Sequence, residues 1–96
     1  MRARRNIQIR GLVQGVYFRE TVRRIALNYA VAGFVRNVGY DLVEIDVEAE
    51  AEILDAFVDD VLAHPPSQAR VDEVKTTSLD AQNIEGFRVV SSLRAT

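Results

Sequence analysis

Gly11-Leu12-Val13-Gln14-Gly15-Val16-Tyr17-Phe18-Arg19 separates two runs of different periodicity, and that change of period decides the fold. Upstream, Asn6–Arg10 alternates polar and apolar residues with Ile7 and Ile9 on one face, the mark of a half-buried strand. Downstream, Phe18, Val22, Ile25 and Tyr29 recur at i, i+4, i+7 and i+11, a single apolar helical stripe. Arg19, Arg23 and Arg24 fall off that stripe. The helix is expected over Phe18–Asn28, ending near Ala30–Gly33. The quoted stretch is then a strand-to-helix loop in which Gly11 and Gly15 bracket a turn.

Working outward, Gly33–Val38 reads as a second strand and Gly39-Tyr40-Asp41 as a turn. Asp41–Glu48 alternates Val43, Ile45 and Val47 with Glu44, Asp46 and Glu48, so the two strands form a hairpin. A second helix is expected over Glu50–Ala63, with Ile53, Leu54, Phe57, Val58, Val61 and Leu62 as its apolar face. Glu50 and Glu52 fall in its first turn, where negative charge suits the helix dipole, and His64 closes its last. Pro65-Pro66 stops it. Arg70–Ser78 is a further strand candidate, Asp80–Gly86 a polar loop and Phe87–Ser91 a short terminal strand. The order strand, helix, strand, strand, helix, strand is the split βαβ pattern of a ferredoxin-like α+β sandwich. Two helices should pack on one face of an antiparallel sheet of four to five strands. Residues 1–96 are read as a single domain, because the length suits one domain and no linker or repeat interrupts it.

The chain has no cysteine, which excludes disulfides, thiolate metal sites and a cysteine nucleophile. No apolar run approaches the roughly 20 residues a membrane helix needs, and the basic start Met1–Arg5 has no apolar run behind it. A cytoplasmic monomer without membrane partners is expected. The formal net charge of −2 argues against non-specific nucleic-acid binding. Its distribution is uneven: seven arginines fall in the first 24 residues, while Asp41–Asp60 holds nine acids and no base. One end of the fold is therefore expected to carry a positive potential suited to a small anion.

The loop itself suits an anion. Successive backbone N–H groups before a helix N-terminus can converge on one ligand, and the helix dipole adds about half a positive charge. Gly15 can take a positive φ or let the backbone approach a ligand. Arg19 falls in the first helical turn, where a cation is disfavoured by about 0.3–1 kcal/mol unless a bound phosphate reverses the penalty. The GxxxxGK[ST] pattern of a P-loop is absent. Spacing alone leaves an ordinary loop with a solvated arginine equally open.

Gly11–Arg19 resembles the acylphosphatase signature G-x-V-Q-G-V-x-F-R and matches every fixed position. Gly33-Phe34-Val35-Arg36-Asn37 is similar to the start of that family's second signature. With the element order, the resemblance covers nearly the whole chain. It implies hydrolysis of an acyl phosphate to a carboxylate and inorganic phosphate, with no metal or cofactor. Carried onto this sequence, it puts phosphate against the amides of Gln14, Gly15, Val16, Tyr17, Phe18 and Arg19. It makes Arg19 the binder of the phosphoryl oxygens and Asn37 the holder of the attacking water. Two positions depart from the pattern: Asp41 and Ala49 stand where the family usually has glycine. The hairpin turn is then expected to be rebuilt, with Gly39 in the positive-φ role.

His64–Val74 also resembles a stretch of the acylphosphatase-like domain of hydrogenase-maturation carbamoyltransferases, which implies carbamoyl phosphate as an alternative substrate. A silent anion-binding module of the same fold is a third reading, opposed by the presence of both Arg19 and Asn37. His64, Asp59-Asp60, Arg23 and Arg24 are read as solvated. An RNA platform needs aromatics on the two central strands, where Ile7, Ile9, Val71 and Val74 are expected instead.

Overall fold

The structure, a computed structural model, describes residues 1–91. Seven elements follow one another: β1 (Arg2–Leu12), α1 (Phe18–Ala26), β2 (Ala32–Val38), β3 (Leu42–Glu50), α2 (Ala51–Ala63), β4 (Arg70–Leu79) and β5 (Phe87–Val89). The period-2 alternation puts Ile7 opposite Ile45 and Ile9 opposite Val43, all buried on one face of the sheet. Val35 of β2 pairs with Ile45 and extends that face. Phe18 and Val22 of α1 and Leu54, Phe57, Val58 and Val61 of α2 complete the core against it. Phe57 is its largest fully buried side chain, with Tyr29 and Phe87 edge-on at 5.8 and 6.0 Å between ring centroids.

The sheet order is β4-β1-β3-β2-β5, the ferredoxin-like arrangement with one added strand. One detail of the expected sheet is corrected. The first four strands pair antiparallel, but β5 runs parallel to β2, so the sheet is mixed. Topology explains this. β4 runs against β1, and β1 runs in the same direction as β2. A chain that reverses after β4 and crosses to the far edge must arrive parallel to β2.

The first strand is also longer than its alternating core, because charges on the acidic strand and the second helix hold its basic start. On the face away from the helices, Arg2 pairs with Glu48 and Arg4 with Asp46; towards α2, Arg5 pairs with Asp55. Arg10 pairs with Asp41 and Arg36 with Glu44. Much of the expected positive charge is thus offset by neighbouring acids. Acids of β3 lie beside Arg2 and Arg4 in the β1–β3 ladder, while Asp55 of α2 and Asp41 of the turn meet Arg5 and Arg10. The open face of β1 and β3 carries these charges and no aromatic; Phe34, on β2, lies 5.2 Å from the Arg36 guanidinium. The central pair is β1 and β3, while Val71 and Val74 sit on edge strand β4.

The segment between β4 and β5 is pinned over this face by Glu48, whose side chain is fully buried. Its Oε1 accepts the Gln82 N–H at 2.6 Å, and its Oε2 accepts the Ile84 N–H at 3.2 Å and Arg2 Nε at 2.9 Å. These hydrogen bonds, the Gln82 amide first, hold the Glu48 pKa below its ordinary 4.5 despite burial. A depressed carboxylate contributes stability above its unfolded pKa and loses it as pH falls through its folded one. Glu48→Gln is therefore expected to lower the urea midpoint at pH 7. Its gap from wild type should narrow as the pH falls below the ordinary glutamate value of 4.5, which paired denaturation curves would check.

Candidate active site

The loop between β1 and α1 is built by alternate burial. Val13, Val16 and Phe18 are 1%, 8% and 3% exposed and anchor it in the core, while Gly15 and Tyr17 stay outside. Gly15 takes φ +73° and Tyr17 φ +64°, with Val16 between them outside that region. Such alternation of handedness turns successive peptide N–H groups towards a common concavity, the geometry of an anion nest. Tyr17 is also the N-cap of α1 and offers no side-chain cap, so the first-turn amides receive none from it. Its carbonyl is fixed by the Thr21 N–H at 3.0 Å and Thr21 Oγ1 at 2.9 Å. The positive φ of Gly15 matches the expectation; that of Tyr17 has no signal in composition or period.

Two residues of the loop serve its placement. Gln14 reaches sideways: its Nε2 lies 3.3, 3.2 and 3.0 Å from the carbonyls of Val38, Gly39 and Leu42. This ties the loop to the β2–β3 turn and so to the neighbourhood of Asn37. That turn is rebuilt as the departures suggested, with Gly39 at φ +60°, while the Asp41 carbonyl accepts the Gly11 N–H at 2.9 Å. Gly11 itself is needed for close approach. A Cβ there would lie 2.1 Å from the Arg70 carbonyl oxygen, at the point where the β1–β4 register shifts.

A cleft of about 530 Å³ opens at this loop. It brings together Gly15, Tyr17, Phe18, Arg19 and Asn37 of the residues singled out in the sequence. Gln14 and Val16 do not line it: one braces the turn and the other packs inward. Val13, Glu20, Arg23 and Val89 line it unforeseen. Val89 could not be placed from sequence, because its approach depends on β5 crossing to the far edge.

The charges of the cleft sort themselves. Glu20 accepts two hydrogen bonds from Arg23, at 2.8 and 2.7 Å, and one from Arg24 at 3.2 Å. Those bonds, Arg23 first, bring its pKa down to about 2. Six of the seven early arginines are thus ion-paired, Arg23 and Arg24 through Glu20 at the surface, with the Arg24 side chain 74% exposed. Arg19 is the exception. Among the described residues its guanidinium meets no carboxylate, and its Nη1 lies 3.4 Å from the Val90 carbonyl. On β2, Asn37 is 8% exposed, and its Oδ1 is buried with no hydrogen-bond partner among the described residues. A buried, unpaired amide costs about 1–3 kcal/mol and calls for an explanation. The cleft therefore holds an unneutralised guanidinium, an underused amide and a nest at a helix N-terminus.

The acylphosphatase family model matches residues 5–89. The chain belongs to the acylphosphatase family. It is 37% identical to the acylphosphatase of Thermococcus kodakarensis, with 93% of this chain and 97% of that one covered. It is 38% identical to carbamoyltransferase HypF2 of Cupriavidus necator, where the match covers 93% of this chain but 11% of the relative. Among solved structures, full-length HypF in its phosphate- and nucleotide-bound form superposes with a TM-score of 0.91 at 34% identity, covering 98% of this chain and 12% of that one. The chain thus spans about a tenth of the carbamoyltransferases and nearly all of an acylphosphatase. His64–Val74, which carried the carbamoyltransferase resemblance, contributes nothing to the cleft. His64 caps α2 with its Nδ1 2.8 Å from Asp60 Oδ1.

Proposed function

We propose that this acylphosphatase-family domain hydrolyses the carboxyl–phosphate bond of small acyl phosphates, releasing carboxylate and inorganic phosphate. The observation that carries the reading is Arg19. In a chain that pairs its other early arginines, this one is left in the cleft at the mouth of a nest. A cation in the first turn of a helix opposes the dipole. A phosphoryl group bound between the guanidinium and the amides satisfies both.

In the proposed reaction the phosphoryl oxygens lie against the amides of the loop residues that line the cleft, Gly15, Tyr17, Phe18 and Arg19, with the Arg19 guanidinium bridging two of them. Asn37 holds a water in line with the scissile bond. The water oxygen forms a bond to phosphorus, the bond from phosphorus to the acyl oxygen breaks, and the water proton passes to a phosphate oxygen. Arginine stays protonated and an amide does not titrate, so the protein supplies orientation and charge stabilisation rather than a base. A carboxylate is a good leaving group, which suits so small a site. No cofactor enters this scheme, and a cytoplasmic monomer is the form it assumes.

Incubation with benzoyl, acetyl and carbamoyl phosphate, with release of inorganic phosphate as the readout, tests the proposal. Turnover of benzoyl or acetyl phosphate is expected. Turnover confined to carbamoyl phosphate would move the domain to the carbamoyltransferase-like reading, which its high structural likeness to HypF supports. Binding of phosphate without turnover of any of the three would make it a silent anion-binding module.

A further inference from the structure

Tyr17 serves the loop through its backbone, and that role does not require its side chain. Its residue is 82% exposed, so the ring adds nothing to the core. Its backbone sits at φ +64°, ψ +28°, a conformation glycine enters freely and a bulky residue enters with strain. Its carbonyl is anchored twice by Thr21, so the side chain leaves from a rigid N-cap. A glycine would satisfy the backbone better, and nothing in the folded core would miss the ring. Other exposed apolar residues, Leu27 and Tyr40, are as open to water, but they do not line the cleft; Tyr17 does.

We infer that the Tyr17 ring is the acyl-group contact of the cleft and selects acyl phosphates with a planar or extended apolar acyl group over compact ones. The inference rests on the hydrolase reading above and names its substrate class. With the phosphoryl group held by the nest and Arg19, the rest of the substrate must leave the polar end of the cleft. Of the apolar residues that line the cleft, Val13 and Phe18 are buried, while Tyr17 and Val89, itself 39% exposed, present open apolar surface. An aromatic acyl group offers the ring an offset or edge-on partner and displaces water from both. An acetyl or carbamoyl group is too small to cover it.

The test is the ratio of kcat/KM for benzoyl phosphate to that for acetyl phosphate, in wild type, Tyr17→Phe and Tyr17→Asn. Asparagine tolerates the left-handed backbone, so Tyr17→Asn removes the ring with little change at the loop. Tyr17→Gly, which also fits that backbone, repeats the measurement should the asparagine variant fold poorly. The ratio is expected to fall about three- to tenfold in the variants without a ring and to be kept in Tyr17→Phe. An unchanged ratio in an active Tyr17→Asn or Tyr17→Gly enzyme would overturn the inference and leave the hydrolase reading standing. A ratio lost equally in Tyr17→Phe would overturn it too, because the hydroxyl would then be the contact. Wild-type protein that turns over none of these phosphates would overturn both.

Discussion

Arg19→Ala is expected to lower kcat/KM for acyl phosphates by about 10³ or more while leaving the fold intact. Removal of one preorganised donor to a developing charge commonly costs about 10²–10³ in rate. Arg19 offers two parallel donors and a full charge, and no other cation in the cleft is free to replace it, because Arg23 is held by Glu20. Stability should move the other way from activity. Arg19 has no carboxylate partner among the described residues and makes one long contact, 3.4 Å, to the Val90 carbonyl. It also opposes the α1 dipole, a penalty of about 0.3–1 kcal/mol that alanine removes. The urea midpoint of Arg19→Ala should therefore equal or slightly exceed that of wild type. Arg19→Lys should recover only part of the rate, since an ammonium cannot grip two phosphoryl oxygens in a fixed plane. Near-wild-type hydrolysis by Arg19→Ala would end the assignment of this residue.

The contrast between activity and stability at Arg19 follows from what the sequence could and could not reveal. Strand and helix periods are local, so β1, β3 and α2 were legible within a few residues from Ile7, Val43 and Phe57. The charge imbalance between the first 24 residues and residues 41–60 was equally plain, but not which cation pairing would leave over. Arg2 and Glu48 lie 46 positions apart and meet only because β1 and β3 are neighbours in register. Composition sees a positive end; pairing turns it into a neutral ladder and singles out Arg19. The parallel pairing of β5 was hidden for a similar reason. A three-residue strand carries no sign of which edge it joins, and the crossing depends on Glu48 reaching the Gln82 and Ile84 amides. In the loop, the glycines announced a turn, but φ +64° at Tyr17 breaks the local preference of a bulky aromatic. That break lies at the cleft, where local rules are most often overridden by function.

Asn37→Ala is expected to lower kcat by about 10²–10³ with inorganic phosphate still able to bind and inhibit. The split follows from the geometry. Phosphate recognition is assigned to the nest and Arg19, on the loop and α1, whereas Asn37 sits on β2 with no part in either element. Its side chain is 8% exposed, and its Oδ1 has no partner among the described residues, so alanine removes an unpaired polar atom rather than a structural bond. The fold should lose little, because the cavity left behind is offset by relief of an unsatisfied group. Asn37→Asp gives the complementary result. It keeps the shape but sets a negative charge beside the bound phosphoryl group, so inhibition by phosphate should weaken along with turnover, and more so as pH rises through the aspartate pKa. A water-positioning amide therefore predicts one variant that binds without turning over and another that does neither. A structural amide predicts instead a common loss of stability in both, and comparing kcat, the phosphate inhibition constant and the urea midpoint across the two variants separates these roles.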